Sequence, residues 1–227
     1  MMNSNYFCRK ILSNDNLDHV KNTITSENVK WEDGNNSVIN KKVENIKKVL
    51  ETFDQGVFDI IMSDLDKDIQ FSSIVVPKET NNVIISKIAE GGYYQCHLDS
   101  EFNGNYSTTI FLNEPNEYVG GELQLLIDGN LKNIKLKAGW GVTYATGIPH
   151  QVLDVTEGVR YASIFWSTSI ILDPFMREIH HNLTNIQDKL IKPDNAANKV
   201  YSNLKEFADD PVYEIEMLKK SIARRYL

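Results

Sequence analysis

Cysteine is nearly absent: Cys8 and Cys96 are the only two in 227 residues. Two cannot build the disulfide framework of a small secreted domain, so both are expected as free thiols in a reducing compartment, with the cytoplasm the expected location. No stretch approaches the roughly 18 apolar residues of a membrane span, and Met1-Met2-Asn3-Ser4-Asn5 is polar, which argues against a signal peptide and a membrane partner. Positive charge is in short supply: 24 Lys plus Arg face 31 Asp plus Glu, a net charge of −7, so no field draws a polyanion and no nucleic-acid partner is expected. With 12 glycines, 6 prolines, no repeat and no low-complexity tract, the chain is neither collagen-like nor a solenoid. What is present is 41% hydrophobic and 10% aromatic side chains, enough for the core of one domain of about 200 residues.

The hydrophobic pattern changes character twice. From Ser13 to about Asp66 it is helical, with Ser13-Asn14-Asp15 as N-cap material and Val43, Ile46, Val49, Leu50 and Phe53 at helical spacing. Trp31-Glu32-Asp33-Gly34-Asn35-Asn36 between them carries turn chemistry. From about Phe71 to Ser169 short β-type runs follow one another: Asn82–Ala89, Tyr93–Leu98, Ser107–Leu112, Glu122–Asp128, Leu131–Leu136, Gly141–Ala145 and Arg160–Thr168. Such spacing implies two facing sheets, with Asp128-Gly129 as a hairpin turn. After Leu172, Met176, Ile179, Leu183, Ile186 and Leu190 restore a helical period, and a further helix is expected over Pro211–Arg225. The expectation is a mainly β core with helical flanks: an N-terminal flank at 1–70, the core at 71–172 and a helical extension at 173–227. The flanks would support the core, form a homodimer contact or cap the mouth of a site.

One constellation carries chemistry. In the extended run Tyr94-Gln95-Cys96-His97-Leu98-Asp99, residues two apart share a face, so His97 and Asp99 project together while Cys96 and Leu98 point away. His150, 53 positions on, begins another short extended segment. Two neutral imidazoles and one carboxylate with other positions open suit a non-haem Fe(II) oxygenase. A His-x-Asp by itself is most often a surface or hydrogen-bonded pair; Arg160, at the head of the apolar run Arg160–Trp166, shifts the balance. A guanidinium buried there needs a carboxylate, which is either an internal Asp or Glu or the far carboxylate of a dicarboxylic cosubstrate.

Several ordered motifs lie between Tyr94 and Ser169: Tyr94-x-x-His97-x-Asp99, Ser107-Thr-Thr-Ile-Phe-Leu112, Glu117-Tyr-Val-Gly-Gly-Glu-Leu123, Lys135-Leu-Lys-Ala-Gly139, Tyr144, His150-x-Val152, Val155-Thr-x-Gly158-x-Arg160 and Phe165-Trp166-x-x-Ser169. In these the chain resembles the PKHD-type hydroxylases, Fe(II)- and 2-oxoglutarate-dependent dioxygenases related to prolyl 4-hydroxylases. The resemblance implies a double-stranded β-helix (jelly roll) with iron held by His97, Asp99 and His150. It implies Arg160 on the distal carboxylate of 2-oxoglutarate, Tyr94, Thr109 and Tyr144 around the cosubstrate, O2 as oxidant, and L-ascorbate (vitamin C) as a reductant. Departures at Asn103-Gly104-Asn105-Tyr106, Trp140-Gly141 and Ile148-Pro149 lie outside the triad and bear on substrate and pocket lining.

The activity so implied is hydroxylation of a C–H bond with release of succinate and CO2, a peptidyl prolyl side chain being the first substrate to consider. A free small molecule is the alternative substrate, and a non-catalytic jelly-roll ligand-binding module the alternative class. His19 has no partner pattern, His180-His181 are expected on a solvated or satisfied helical face, and Cys96 is expected as a small core residue.

Overall fold

Alternating apolar positions sort the central half of the chain into two antiparallel sheets. The computed structural model describes residues 6–34, 48–50, 55–81, 83–100, 104–191 and 203–227. In chain order the strands are β1 (Tyr6–Lys10), β2 (Trp31–Asp33), β3 (Lys48–Leu50), β4 (Pro77–Thr80), β5 (Ile84–Ala89), β6 (Tyr94–His97) and β7 (Tyr106–Phe111). They continue as β8 (Tyr118–Gly120), β9 (Leu123–Ile127), β10 (Asn130–Ile134), β11 (Trp140–Ala145), β12 (His150–Val152) and β13 (Val155–Ser169). The larger sheet runs β1-β11-β7-β13-β5-β3-β2, with β4 and β8 also paired to β13; the smaller runs β10-β9-β12-β6. This is the jelly-roll core with helical flanks.

The space between the sheets is filled by Ile88, Phe111 and Val142 from the larger and Leu123, Leu125, Ile127, Ile134 and Val152 from the smaller. Phe111 and Leu125 are wholly buried, which stabilises the fold by about 2 kcal/mol for each such side chain. β7 is buried at all six positions because β11 and β13 flank it on both sides. The turn between β9 and β10 is the expected hairpin: Asp128 (φ 50°) and Gly129 (φ 75°) both take the left-handed conformation that lets a two-residue turn follow the twist of the strands.

The described chain divides into two compact units, Met1–Asp68 with Glu79–Thr168, and Ile69–Lys78 with Ser169–Leu227. The first holds both sheets with α1 (Asn14–Thr25) and α2 (Gln55–Leu65). Ser13 caps α1 by accepting from the Asn16 amide, and it donates its own backbone N–H (2.8 Å) and hydroxyl (3.0 Å) to Asp64 Oδ2, tying the start of α1 to α2. The second unit holds α3 (Ile69–Val75), α4 (Pro174–Leu190), α5 (Leu204–Ala208) and α6 (Pro211–Arg224). Here Asp173-Pro174 and Asp210-Pro211 each place a capping carboxylate and a proline at the first helical position. His181 is buried and satisfied between the Ser73 hydroxyl (2.7 Å) and Asn185 (2.9 Å), and His180 reaches the Ser73 carbonyl at 3.2 Å, as expected of a satisfied face.

Two expectations are corrected. Trp31–Asp33 and Lys48–Leu50, expected as turn and helix, are β2 and β3, paired to each other and through β3 to β5. Pairing with a sheet already in place overrides a weak helical period. Asn35, Asn36, Val43, Ile46, Phe53, Asn82 and Asn103 lie outside the described residues. Cys96, expected in the core, is exposed, as is Leu98 at 60%. No described helix is long and apolar enough to cross a membrane.

Candidate active site

β6 and β12 are antiparallel neighbours whose register sets His97 directly opposite His150. Both imidazoles therefore project to the same side, their ring centroids 4.2 Å apart. Asp99, two residues past His97, shares that side: His97 Nε2 lies 3.6 Å from its Oδ1 and His150 Nε2 lies 3.6 Å from its Oδ2. One ligand atom from each of the three residues falls within 4.8 Å of the others, the span over which a single ion can be held.

The orientation of each group is fixed by partners outside the cluster. His97 Nδ1 bonds the Gln95 carbonyl at 2.8 Å and His150 Nδ1 the Ile148 carbonyl at 2.9 Å. A carbonyl only accepts, so in each ring Nδ1 carries the proton and Nε2 presents a lone pair inward. Asp99 Oδ2 accepts from the Ser107 hydroxyl at 2.6 Å and from the Trp166 indole at 2.9 Å, which turns Oδ1 to the cluster. Burial alone would raise the Asp99 carboxyl. In acid, where the imidazoles gain a proton on Nε2, His97 and His150 together with the Ser107 and Trp166 donors more than reverse this and hold it down at about 2.

Two phenols adjoin the imidazoles. Tyr94 stacks at 4.2 Å from the His97 ring and Tyr144 meets His150 edge-on at 5.1 Å. Burial, and then the Asp99 charge, push Tyr94 up to about 12 and Tyr144 well above the ordinary phenol value. Both stay protonated donors at neutral pH. Thr109, buried on β7, approaches the Tyr144 phenol.

Arg160 is only 1% exposed, with its guanidinium carbon 5.3 Å over the Phe111 ring. Burial lowers its affinity for a proton, and the Tyr118 and Tyr144 phenols oppose that. Its Nε and Nη2 find no acceptor of good geometry, and the guanidinium and the buried Tyr118 phenol act on each other through charge and a hydrogen bond. Among the described residues no Asp or Glu pairs with Arg160. Of the two partners the sequence left open, the internal acid is thus missing. Buried orphan N–H groups are expensive, and a carboxylate from outside would satisfy both.

The structure thus brings His97, Asp99 and His150 together, with Tyr94 and Tyr144 packed on the imidazoles and Thr109 and Arg160 close to Tyr144. Residue-by-residue inspection of the sequence misses Ser107, Trp166 and Tyr118 as parts of the site. All three stand inside the ordered motifs, yet their roles depend on which strand faces which.

Residues 83–168 match the 2OG-Fe(II) oxygenase superfamily. A PKHD-type hydroxylase of Maricaulis maris is 30% identical over 210 residues, covering 88% of this chain and 94% of that protein. One from Synechococcus sp. (strain JA-2-3B'a(2-13)) is 31% identical over 160 residues, 64% of this chain and 71% of the relative. A prolyl hydroxylase of Trichoplax adhaerens, solved with a hypoxia inducible factor oxygen degradation domain peptide fragment, shares the fold with a TM-score of 0.58 at 14% identity, over 80% of this chain and 87% of that one. A Pseudomonas putida prolyl-4-hydroxylase does so with a TM-score of 0.51 at 16% identity, over 73% of this chain and 92% of that one. This chain belongs to the PKHD-type hydroxylases of the 2OG-Fe(II) oxygenase superfamily: it is a 2-oxoglutarate-dependent dioxygenase whose cofactor is Fe(II) and whose cosubstrates are 2-oxoglutarate and O2.

Proposed function

We propose that this chain hydroxylates a C–H bond of a peptidyl side chain, proline first, with His97, Asp99 and His150 holding the iron and Arg160 binding the distal carboxylate of 2-oxoglutarate. The observation that carries the reading is the pairing of two inward Nε2 lone pairs and one ionised carboxylate with a buried guanidinium that has orphan donors. Tyr144 links the two halves, touching His150 and coupling electrostatically to Arg160. Bound together, Fe(II), 2-oxoglutarate and O2 supply the oxidising power, with succinate and CO2 as by-products.

The protein's part is geometric and electrostatic. His97, His150 and Asp99 would hold the ion with three protein ligands, so that cosubstrate and O2 could bind to it as well. Asp99 keeps the third protein ligand in place; a small residue there would open a halide position, so its presence favours hydroxylation. Tyr94, Thr109 and Tyr144 add donors around the cosubstrate, and Phe111 packs against the Arg160 guanidinium. A peptide substrate is supported over a free small molecule by the Trichoplax adhaerens protein of the same fold, a prolyl hydroxylase that holds a peptide fragment. Two free cysteines support a reducing, cytoplasmic setting.

The test is incubation of the Fe(II)-loaded protein with 2-oxoglutarate, air and a library of proline-containing peptides. A one-oxygen mass gain on a prolyl residue with equimolar succinate supports the reading. Succinate stimulated by free amino acids or other small molecules, with no peptide modified, moves the substrate to the alternative class.

A further inference from the structure

α4 turns the usual amphipathic pattern inside out. The side it packs on α3 and α6 is polar: its buried residues are His181 and Thr184, and His181 bonds Ser73 of α3. Gln70 of α3 donates to Asn185 at 2.9 Å, while Gln187 donates to the Val212 carbonyl of α6 at 3.1 Å and accepts from Lys219 at 2.9 Å. The apolar residues lie on another side of the helix. Met176, Ile179, Leu183, Ile186 and Leu190 recur at steps of three and four, the spacing of a seam between paired helices, with Phe175 along its edge. Phe175 is 64% exposed, Ile186 48% and Leu190 44%, and the other three are only half-buried. A helix of a soluble domain ordinarily turns such a stripe inward.

With Leu172 just ahead of the helix, these side chains leave on the order of 500 Å² of apolar surface open, the upper end of what one protein surface carries. Two such faces brought together bury about 1,000 Å², the size at which a specific interface begins. The charges beside the stripe fit a second copy of the same helix. Glu178 and Lys189, both exposed, lie along one edge of it, the acid toward the N-terminal end and the base toward the C-terminal end. A parallel pair would set acid against acid and base against base. An antiparallel pair about a twofold axis sets Glu178 of each copy near Lys189 of the other, and the two helix dipoles then attract.

We propose that α4 is the interface of a homodimer in which two copies of this helix pack antiparallel across a twofold axis, seam against seam. A twofold contact uses the same patch on both copies, so assembly closes at two chains. None of the residues in the seam belongs to the iron site, and the inference stands apart from the identity of the substrate.

The experiment is sedimentation equilibrium of the full-length, Mn(II)-loaded protein at micromolar concentrations. The unaltered protein is expected at twice the 25.9 kDa mass of the chain. Phe175→Glu and Ile186→Glu, each placing a charge in the seam twice over, are expected to raise the dimer dissociation constant at least about a hundredfold, with an unchanged far-ultraviolet circular dichroism spectrum. Glu178→Lys and Lys189→Glu are each expected to weaken the dimer about three- to tenfold, and the two together to restore it to within about twofold. Should one of the seam variants fail to fold, the other and the charge exchange carry the test. A monomer at every concentration overturns the proposal and leaves the face to a different protein. A dimer that survives both Phe175→Glu and Ile186→Glu overturns it as well, since the contact is then elsewhere. A double exchange that weakens the dimer more than either single one overturns the antiparallel arrangement.

Discussion

Trp166 donates its indole N–H to Asp99 Oδ2 at 2.9 Å, across 67 positions of sequence, and so a tryptophan at the centre of the larger sheet sets the angle at which the acid meets the two imidazoles. Ser107 shares the same oxygen at 2.6 Å. Neither residue has to touch a metal to matter for it, because a carboxylate held by two donors keeps its other oxygen fixed.

Trp166→Phe keeps an aromatic ring and removes that donor. Metal affinity is expected to fall by about ten- to a hundredfold, the usual effect of losing a partner that orients a ligand. Ser107→Ala is expected to act in the same direction. Titration of the metal-free protein with Mn(II) measures both.

Removal of a ligand is more severe. His150→Ala and Asp99→Ala are expected to abolish succinate formation and to release Fe(II) on gel filtration. Activity that persisted in either variant would show that the ion is held elsewhere.

Asp99 also makes an acid-stability prediction for the metal-free protein. Its folded pKa, about 2, lies below the ordinary value of 3.8, so the stability it contributes is present above about pH 4 and is lost as pH falls through about 2. Between pH 4 and 2 the unaltered protein should lose roughly 2 kcal/mol more unfolding free energy than Asp99→Asn. Urea titrations of both proteins across that range measure the difference, and parallel curves would contradict it.

Phe111 serves the core and the site together. It is fully buried between the sheets and lies under the Arg160 guanidinium. Phe111→Ala is expected to cost about 3–5 kcal/mol of stability and to weaken 2-oxoglutarate binding, whereas Phe111→Leu should keep most of the stability. Chemical denaturation with parallel cosubstrate titration separates the two effects.

The parts of this arrangement legible in the sequence are those that obey a short-range rule. His97 and Asp99 share a face because strand side chains alternate, and Asp128-Gly129 announces a hairpin because a two-residue turn needs left-handed backbone. β2, three residues long, is too short to show alternation and exists because β3 is there to pair with it. Cys96 was misplaced for a related reason: alternation says which residues share a face, not whether that face is covered. Ser107, Trp166 and Tyr118 become partners of the site only through pairings between distant strands, such as Trp166 opposite Ser107 and Gly158 opposite Tyr118.

The central claim is that three side chains hold iron beside an arginine that holds the cosubstrate. Anaerobic addition of 2-oxoglutarate to the Fe(II)-loaded protein tests it most directly. The account predicts a weak visible charge-transfer band that is lost in His150→Ala and needs far more 2-oxoglutarate in Arg160→Ala, followed by succinate on admission of air. A folded, iron-loaded protein that gives neither band nor succinate would contradict it.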